Sequence, residues 1–224
     1  MQRFLITIRT NHRTFWIKQN ILPICISLVW FTAAIMIHTW ANAYIIGITG
    51  TPVGDTLLNL LPTLKIDFLI IQVPLMATFL GLGLLIYKPH YFPFTLKALS
   101  LFIIIRSFFI SLTHLGASPH QLVLDQSSFG FSLYDLLYNT TNDFFFSGHT
   151  GIPILLALIF WSDKHWRFIF LGIAAIFGVS VLLAHIHYSI DVFAAPFMTY
   201  SIFTLAKYIF PGSYELVKQE GKHS

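Results

Sequence analysis

Charged side chains are what this sequence has least of. Asp, Glu, Lys and Arg make up 10% of its 224 residues, against about 25% in soluble globular domains. That shortage excludes an ordinary soluble domain, and with it disorder, a coiled coil or a collagen-like repeat. Cysteine is nearly missing too, and the single Cys25 rules out an internal disulfide framework. There is no internal repeat and no low-complexity tract. What fills the chain instead is apolar: 56% of residues are hydrophobic, 17% are aromatic, and the mean hydropathy is +0.74. This composition belongs to an integral membrane protein of one domain.

The spacing of the few charges predicts the crossings. No Asp, Glu, Lys or Arg stands between Lys18 and Asp55, Asp67 and Lys88, Asp143 and Asp163, Arg167 and Asp191, or Asp191 and Lys207. Between Lys97 and Asp125 the sole charge is Arg106. Segments of about 20 residues match a hydrocarbon core of about 30 Å. The expectation is an all-α, polytopic bundle of six transmembrane helices near 21–46, 67–87, 94–115, 148–162, 167–185 and 188–209. Residues 1–20 form an N-terminal segment, 21–210 the membrane catalytic domain and 211–224 a tail. Pro74, Pro196 and the Gly81–Gly83 pair mark kinks or close packing.

Basic residues orient the bundle. Eleven of the 13 gather on one side: four precede the first span, Lys88 and Lys97 flank the turn after the second, Lys164 and Arg167 that after the fourth, and Lys207, Lys218 and Lys222 mark the tail; Lys65 and Arg106 are the others. By the positive-inside rule both termini are cytoplasmic, and segments 47–66 and 116–147 face the other side. No cleavable signal peptide is expected, because the first span is too long and lacks a small-residue cleavage pattern. The net charge of +4 reflects contact with anionic lipid heads rather than nucleic acid. In the second outer segment, Phe129 to Tyr138 reads as an aromatic belt or a short interfacial helix, and Asn139-Thr140-Thr141 as a glycosylation sequon.

Two polar stretches interrupt the apolar chain: Asp143-Phe-Phe-Phe-Ser147-Gly148-His149-Thr150, and His185-Ile-His187-Tyr188-Ser-Ile-Asp191. The charge count places both at the non-cytoplasmic face. Ser147 is a good N-cap, Gly148 allows close backbone approach, and the free N–H groups of a helix start make an anion seat. His149 there can protonate a leaving oxygen. His187 and Asp191, four apart, can hydrogen-bond, so the carboxylate fixes one imidazole nitrogen and leaves the other as nucleophile or base. Each residue alone can be a polar cap at the interface; together they favour catalysis. Arg106, in mid-span, needs a partner: either Asp191 or Asp143 as an ion pair, or a substrate phosphate held by the guanidinium fork.

At these residues the chain resembles a known family. Asp143-x-x-x-Ser147-Gly148-His149-Thr150 followed by His187-Tyr188-Ser189-Ile190-Asp191-Val192 looks like the paired signature of the sphingomyelin synthase-like branch of the type 2 phosphatidic acid phosphatase superfamily. The segment from Arg106 to Thr113 is similar to that branch's third-helix segment. Thr141-Asn142 replaces the usual Cys-Gly, and the Lys-x6-Arg-Pro motif of the phosphatase branch is absent, with Val181 where that branch carries an Arg. The resemblance implies His187 as nucleophile, Asp191 as its orienter and His149 as general acid and base. Arg106, Ser147, Gly148 and Thr150 would hold the substrate phosphate, with Asp143 and Tyr188 in support. It implies phospholipid cleavage through a phosphohistidine and transfer to a lipid alcohol, or to water in a phosphatase, with no metal and no cofactor. Two other classes stay open: a metal site built from His185, His187, His149 and Asp191, and a non-catalytic lipid-binding or transport protein.

Overall fold

The computed structural model describes residues 2–46, 48, 50–138 and 144–221. Asp143 and the Asn139-Thr140-Thr141 sequon lie outside them. The elements in order are α1 (Gln2–Phe15), α2 (Lys18–Ile46), α3 (Thr56–Leu60), α4 (Asp67–Tyr87), α5 (Phe92–Leu112), α6 (Phe131–Tyr138), α7 (Gly148–Ile159), α8 (Lys164–Leu183), α9 (Ser189–Ile209) and α10 (Pro211–Gly221). A 3₁₀ turn, Pro89–Tyr91, joins α4 to α5. The chain is all-α, and the described residues contain no strand beyond an isolated bridge between Thr51 and Leu115.

Among the described residues five helices are long and apolar enough to cross a membrane, not the six expected: Asn20–Ile46, Asp67–Tyr87, Pro89–Leu112, Lys164–Leu183 and Ser189–Ile209. The expected fourth span, 148–162, is the 12-residue α7, which at 1.5 Å per residue reaches about 18 Å of the ~30 Å core. Its shortness has a local cause at each end. Ser147 caps its first turn, and a turn from Phe160 to Asp163 stops it so that Asp163 can cap α8. The other boundaries agree with the charge spacing within about three residues. Of the two glycines expected at a close contact, Gly81 meets Leu156 while Gly83 faces open space.

Polar contacts gather one end of the bundle. Asn11 Nδ2 donates to the Tyr87 carbonyl at 2.9 Å, Lys97 Nζ donates to Ser213 Oγ at 2.7 Å, and Lys88 pairs with Asp163 at 3.0 Å. These bring α1, the α4–α5 turn, the α7–α8 turn and α10 together. The expected N-terminal segment and tail are therefore both helical and docked. Tyr91, Phe94, Phe160 and Phe170 fill the core between them. The two polar motifs lie at the opposite end, where a second core of Ile70, Ile71, Tyr134, Phe144 and Val181 supports the outer loops. The peripheral α2 is the least buried of the spanning helices and packs chiefly on α5.

Asp163 makes a prediction about acid stability. Its Oδ1 accepts from the backbone N–H of His165 and Trp166 at 3.1 and 3.4 Å, and its Oδ2 from Lys88. Burial alone would raise its pKa, but the Lys88 bond and charge and the two N–H groups outweigh that and hold it below the ordinary 3.8. A folded-state pKa below the unfolded one contributes stability above about pH 4, lost as pH falls through the folded value. We expect Asp163→Ala to lower the melting temperature in detergent at pH 7, since losing an N-cap costs about 0.5–2 kcal/mol. The gap to wild type should narrow below about pH 4. A gap constant with pH would remove the carboxylate from the explanation.

Candidate active site

The start of α7 is seated by its neighbours. Ser147 Oγ accepts from the Thr150 N–H at 3.3 Å, and the Ser147 N–H donates to the Asp191 carbonyl at 2.9 Å, joining α7 to the first turn of α9. The aromatic run before it is a wedge. Phe145 stacks on Phe109 at 4.7 Å, and the fully buried Phe146 sets its edge on Phe102 at 5.2 Å. Arg106 lies beneath this corner, with Nε donating to the Phe146 carbonyl at 3.1 Å. A Cβ built on Gly148 would be 3.5 Å from the guanidinium, so the glycine leaves the cation close to the helix N-terminus. Arg106 is also shallower than the expected span implied: α5 ends at Leu112, so it sits about 9 Å from the end of its helix.

His187 is not on a helix. α8 closes with a Schellman turn: the His185 N–H donates to the Leu182 carbonyl and the Ile186 N–H to the Val181 carbonyl, at 3.0 Å each. His185 takes the left-handed conformation usually filled by glycine, with φ of 53°. The chain then runs through His187 and Tyr188 before α9 begins. Asp191, in the first turn of α9, accepts at one oxygen, Oδ2, from the Tyr188 N–H at 3.1 Å and meets His187 Nδ1 at 3.3 Å. The pairing of residues four apart thus comes from helix capping rather than from a shared helical face. Asp191 is 1% exposed and His187 4%, so the contact is shielded from water.

The outer loops brace this segment from behind. Tyr188 Oη donates to the Gly116 carbonyl at 2.7 Å and accepts from the Val53 N–H at 3.2 Å. The Ser189 N–H donates to Asp55 Oδ2 at 2.6 Å, while Asp55 Oδ1 caps α3 through Leu57 and Leu58. Burial pushes the Asp55 pKa up, but the N–H groups of Ser189, Leu58 and Leu57 outweigh it and keep the carboxyl below its usual value. Gly50 and Gly116 let the two loops cross. A Cβ on Gly50 would overlap the His114 carbonyl, and one on Gly116 would overlap that of Gly50.

The imidazoles of His149 and His187 converge, with ring centroids 6.1 Å apart and planes inclined at 68°. They share a cavity of about 360 Å³ with Arg106 and Gly148. Its lining is layered. His38 of α2, Arg106 of α5 and His149 of α7 line it, and so do Ile35, Ile103 and Ile152, each three residues deeper along its helix. A phosphate at the polar level would have apolar wall about 5 Å deeper, one helical turn below.

Two expected phosphate or support residues are turned elsewhere. Thr150 gives its N–H to Ser147, and its buried hydroxyl faces Gly178 of α8. Tyr188 stands next to His187, but its hydroxyl binds the outer loops. Asp143 is outside the described residues. The metal reading needed His185 beside His187; instead the His185 ring lies edge-on to His120 at 6.3 Å. Among the described residues no group of three or more His, Cys, Asp or Glu could hold a metal ion.

Sequence reading missed His38 and two tyrosines of α6 as part of this cavity. Tyr138 stacks on the His149 ring at 5.6 Å, and Tyr134 Oη is 3.4 Å from His149 Nε2. The available signal was their spacing: four residues apart, they share a face of a short helix.

Comparison with known proteins agrees with this corner of the molecule. Residues 140–208 match the family model described as PAP2 superfamily C-terminal, a stretch that carries both histidine motifs and α7 to α9. The match supports membership of the PAP2 superfamily. At that level the chain is a membrane lipid enzyme of the phosphatase type. No curated protein and no solved structure gives a match.

Proposed function

We propose that the protein is a phosphotransferase like the sphingomyelin synthase-like branch, moving a phospho-head group from a phospholipid to a lipid alcohol through a phosphohistidine. The convergence of His149 and His187 over one layered cavity carries this reading. Asp191 engages His187 Nδ1, which leaves Nε2 to attack phosphorus while the bond to the lipid oxygen breaks. The leaving oxygen takes a proton from His149. His149 then removes the proton of the acceptor hydroxyl, whose oxygen attacks phosphorus as the P–N bond breaks. Arg106 and the backbone around Gly148 stabilise the phosphoryl oxygens, and no metal or cofactor enters these steps. Water in place of the lipid alcohol gives the phosphatase reading, which the superfamily match also accommodates.

Product analysis of the purified protein in mixed phospholipid and lipid alcohol decides between them. We expect a new phospholipid built on the added alcohol. Free phosphate or a free phospho-head group as the sole product would replace the transferase reading with hydrolysis.

The reaction would take place at the non-cytoplasmic face, with both termini cytoplasmic. In a Cys25→Ser background, Gln126→Cys should react with an impermeant thiol reagent on intact cells, and Gln219→Cys only after lysis. The reverse pattern would put the site on the cytoplasmic side.

A further inference from the structure

We propose that Tyr134 is a positioning residue for His149, holding the imidazole through an uncharged hydroxyl that serves both of its protonation states. The inference rests on His149 being the acid and base of the reaction.

The placement of Tyr134 is built, not incidental. Gln72 of α4 donates from Nε2 to the Phe129 carbonyl at 2.7 Å, and Gly130 turns the chain with φ of +81°. A Cβ at Gly130 would be 3.0 Å from Leu75, so the start of α6 lies tightly on α4. Further along, Tyr138 bonds to Thr78 Oγ1 and to the Pro74 carbonyl. Between these anchors Tyr134 is 4% exposed, and its ring stacks on Tyr138 at 5.4 Å. α6 therefore has little freedom to move the hydroxyl from His149 Nε2.

The chemistry explains why a phenol suits this place. A general acid and base must carry its proton in one half of the cycle and lack it in the other. A carboxylate partner only accepts hydrogen bonds and stabilises the imidazolium, so it opposes release of the proton to the leaving oxygen. With Nε2 held by the Tyr134 hydroxyl, the proton is exchanged with substrate at Nδ1, and the hydroxyl accepts from Nε2–H whether Nδ1 is protonated or bare, so the contact survives both states. Burial, with Tyr138 and Asp135 nearby, pushes the Tyr134 phenol well above its usual pKa, which keeps it neutral. His187 is the contrast. The nucleophile becomes positively charged when phosphorylated, and its partner is the carboxylate of Asp191. The Asp191 carboxylate thus meets the histidine that must turn cationic, and the Tyr134 hydroxyl meets the one that must exchange a proton.

The test compares Tyr134→Phe with Tyr138→Phe. Both keep the ring stack, and each removes one hydroxyl. Tyr134→Phe should lower kcat about tenfold through misaligned proton transfer, with KM changed less than about twofold. Tyr138→Phe loosens the anchor of α6 but leaves the Tyr134 hydroxyl, so it should lower kcat clearly less than Tyr134→Phe and leave the His149 Nε2 resonance nearer its wild-type position. With ¹⁵N-labelled histidine, Tyr134→Phe should shift the His149 Nε2 resonance and leave those of His187 in place. Melting temperature should show both variants folded. Wild-type kcat and unshifted His149 resonances in Tyr134→Phe would overturn the proposal. Equal losses in the two variants would overturn it as well, because packing rather than the hydroxyl would then be responsible. His149→Ala separates the readings: full activity there would remove the acid–base assignment itself, whereas an inactive His149→Ala with a fully active Tyr134→Phe would remove this inference alone.

Discussion

Replacing His187 by Ala should abolish turnover, lowering kcat by about 10⁴-fold or more, as losing a catalytic nucleophile does in other covalent enzymes. The protein should still fold. His187 lies in the connection between α8 and α9, and its backbone bends through the Schellman turn of α8 and the capping of α9, neither of which needs the imidazole. Rapid alkaline denaturation during turnover should trap an alkali-stable, acid-labile phosphoenzyme in wild type and none in His187→Ala. Asp191→Asn should keep a trace of activity, about 10³–10⁴-fold below wild type. An amide oxygen at this position can still cap Tyr188, but it removes the negative charge facing the phosphorylated ring. Full activity of His187→Ala, or activity lost to chelators and restored by zinc, would end the covalent mechanism.

Arg106→Lys should cost about 10²–10³-fold in kcat even though the charge is kept, similar to losing a preorganised donor in other enzymes. The guanidinium is fixed by its Nε–H on the Phe146 carbonyl and lies against the Gly148 backbone. A lysine ammonium has no second planar edge to present to a phosphoryl group while held in this way. Its compact charge also demands more hydration than a 9% exposed site provides. The check is kcat alongside phospholipid affinity and melting temperature. A folded Arg106→Lys protein with wild-type kcat would make Arg106 a structural cation under α7 and remove it from the phosphate site.

The sequence was most informative where a single local rule governs the outcome. Charge spacing placed Asp67–Tyr87 at both ends, because ionised side chains are excluded from hydrocarbon whatever the fold. Ser147 was legible as an N-cap because capping depends on residues one turn apart. Contacts made by long loops were not. Asp55 reads as one acid in a polar stretch, yet it binds Ser189 across 134 positions of sequence. The length of α7 was also hidden, since an apolar run does not show where the chain turns to let Asp163 cap the next helix.

Composition, charge spacing and the two histidine motifs were enough to specify a helical membrane enzyme with its polar chemistry gathered at one face. They work through solvation and local geometry, which act on each segment wherever it packs. Which groups meet there was decided by packing. Thr150 turned toward Gly178 and Tyr188 toward the loops of Val53 and Gly116, although both lie in the polar stretches, while Tyr134 of the aromatic stretch turned toward His149. The physical reason is that a side chain's direction follows from the helix phase and the neighbours that fill the space around it. Residues far apart in sequence set both.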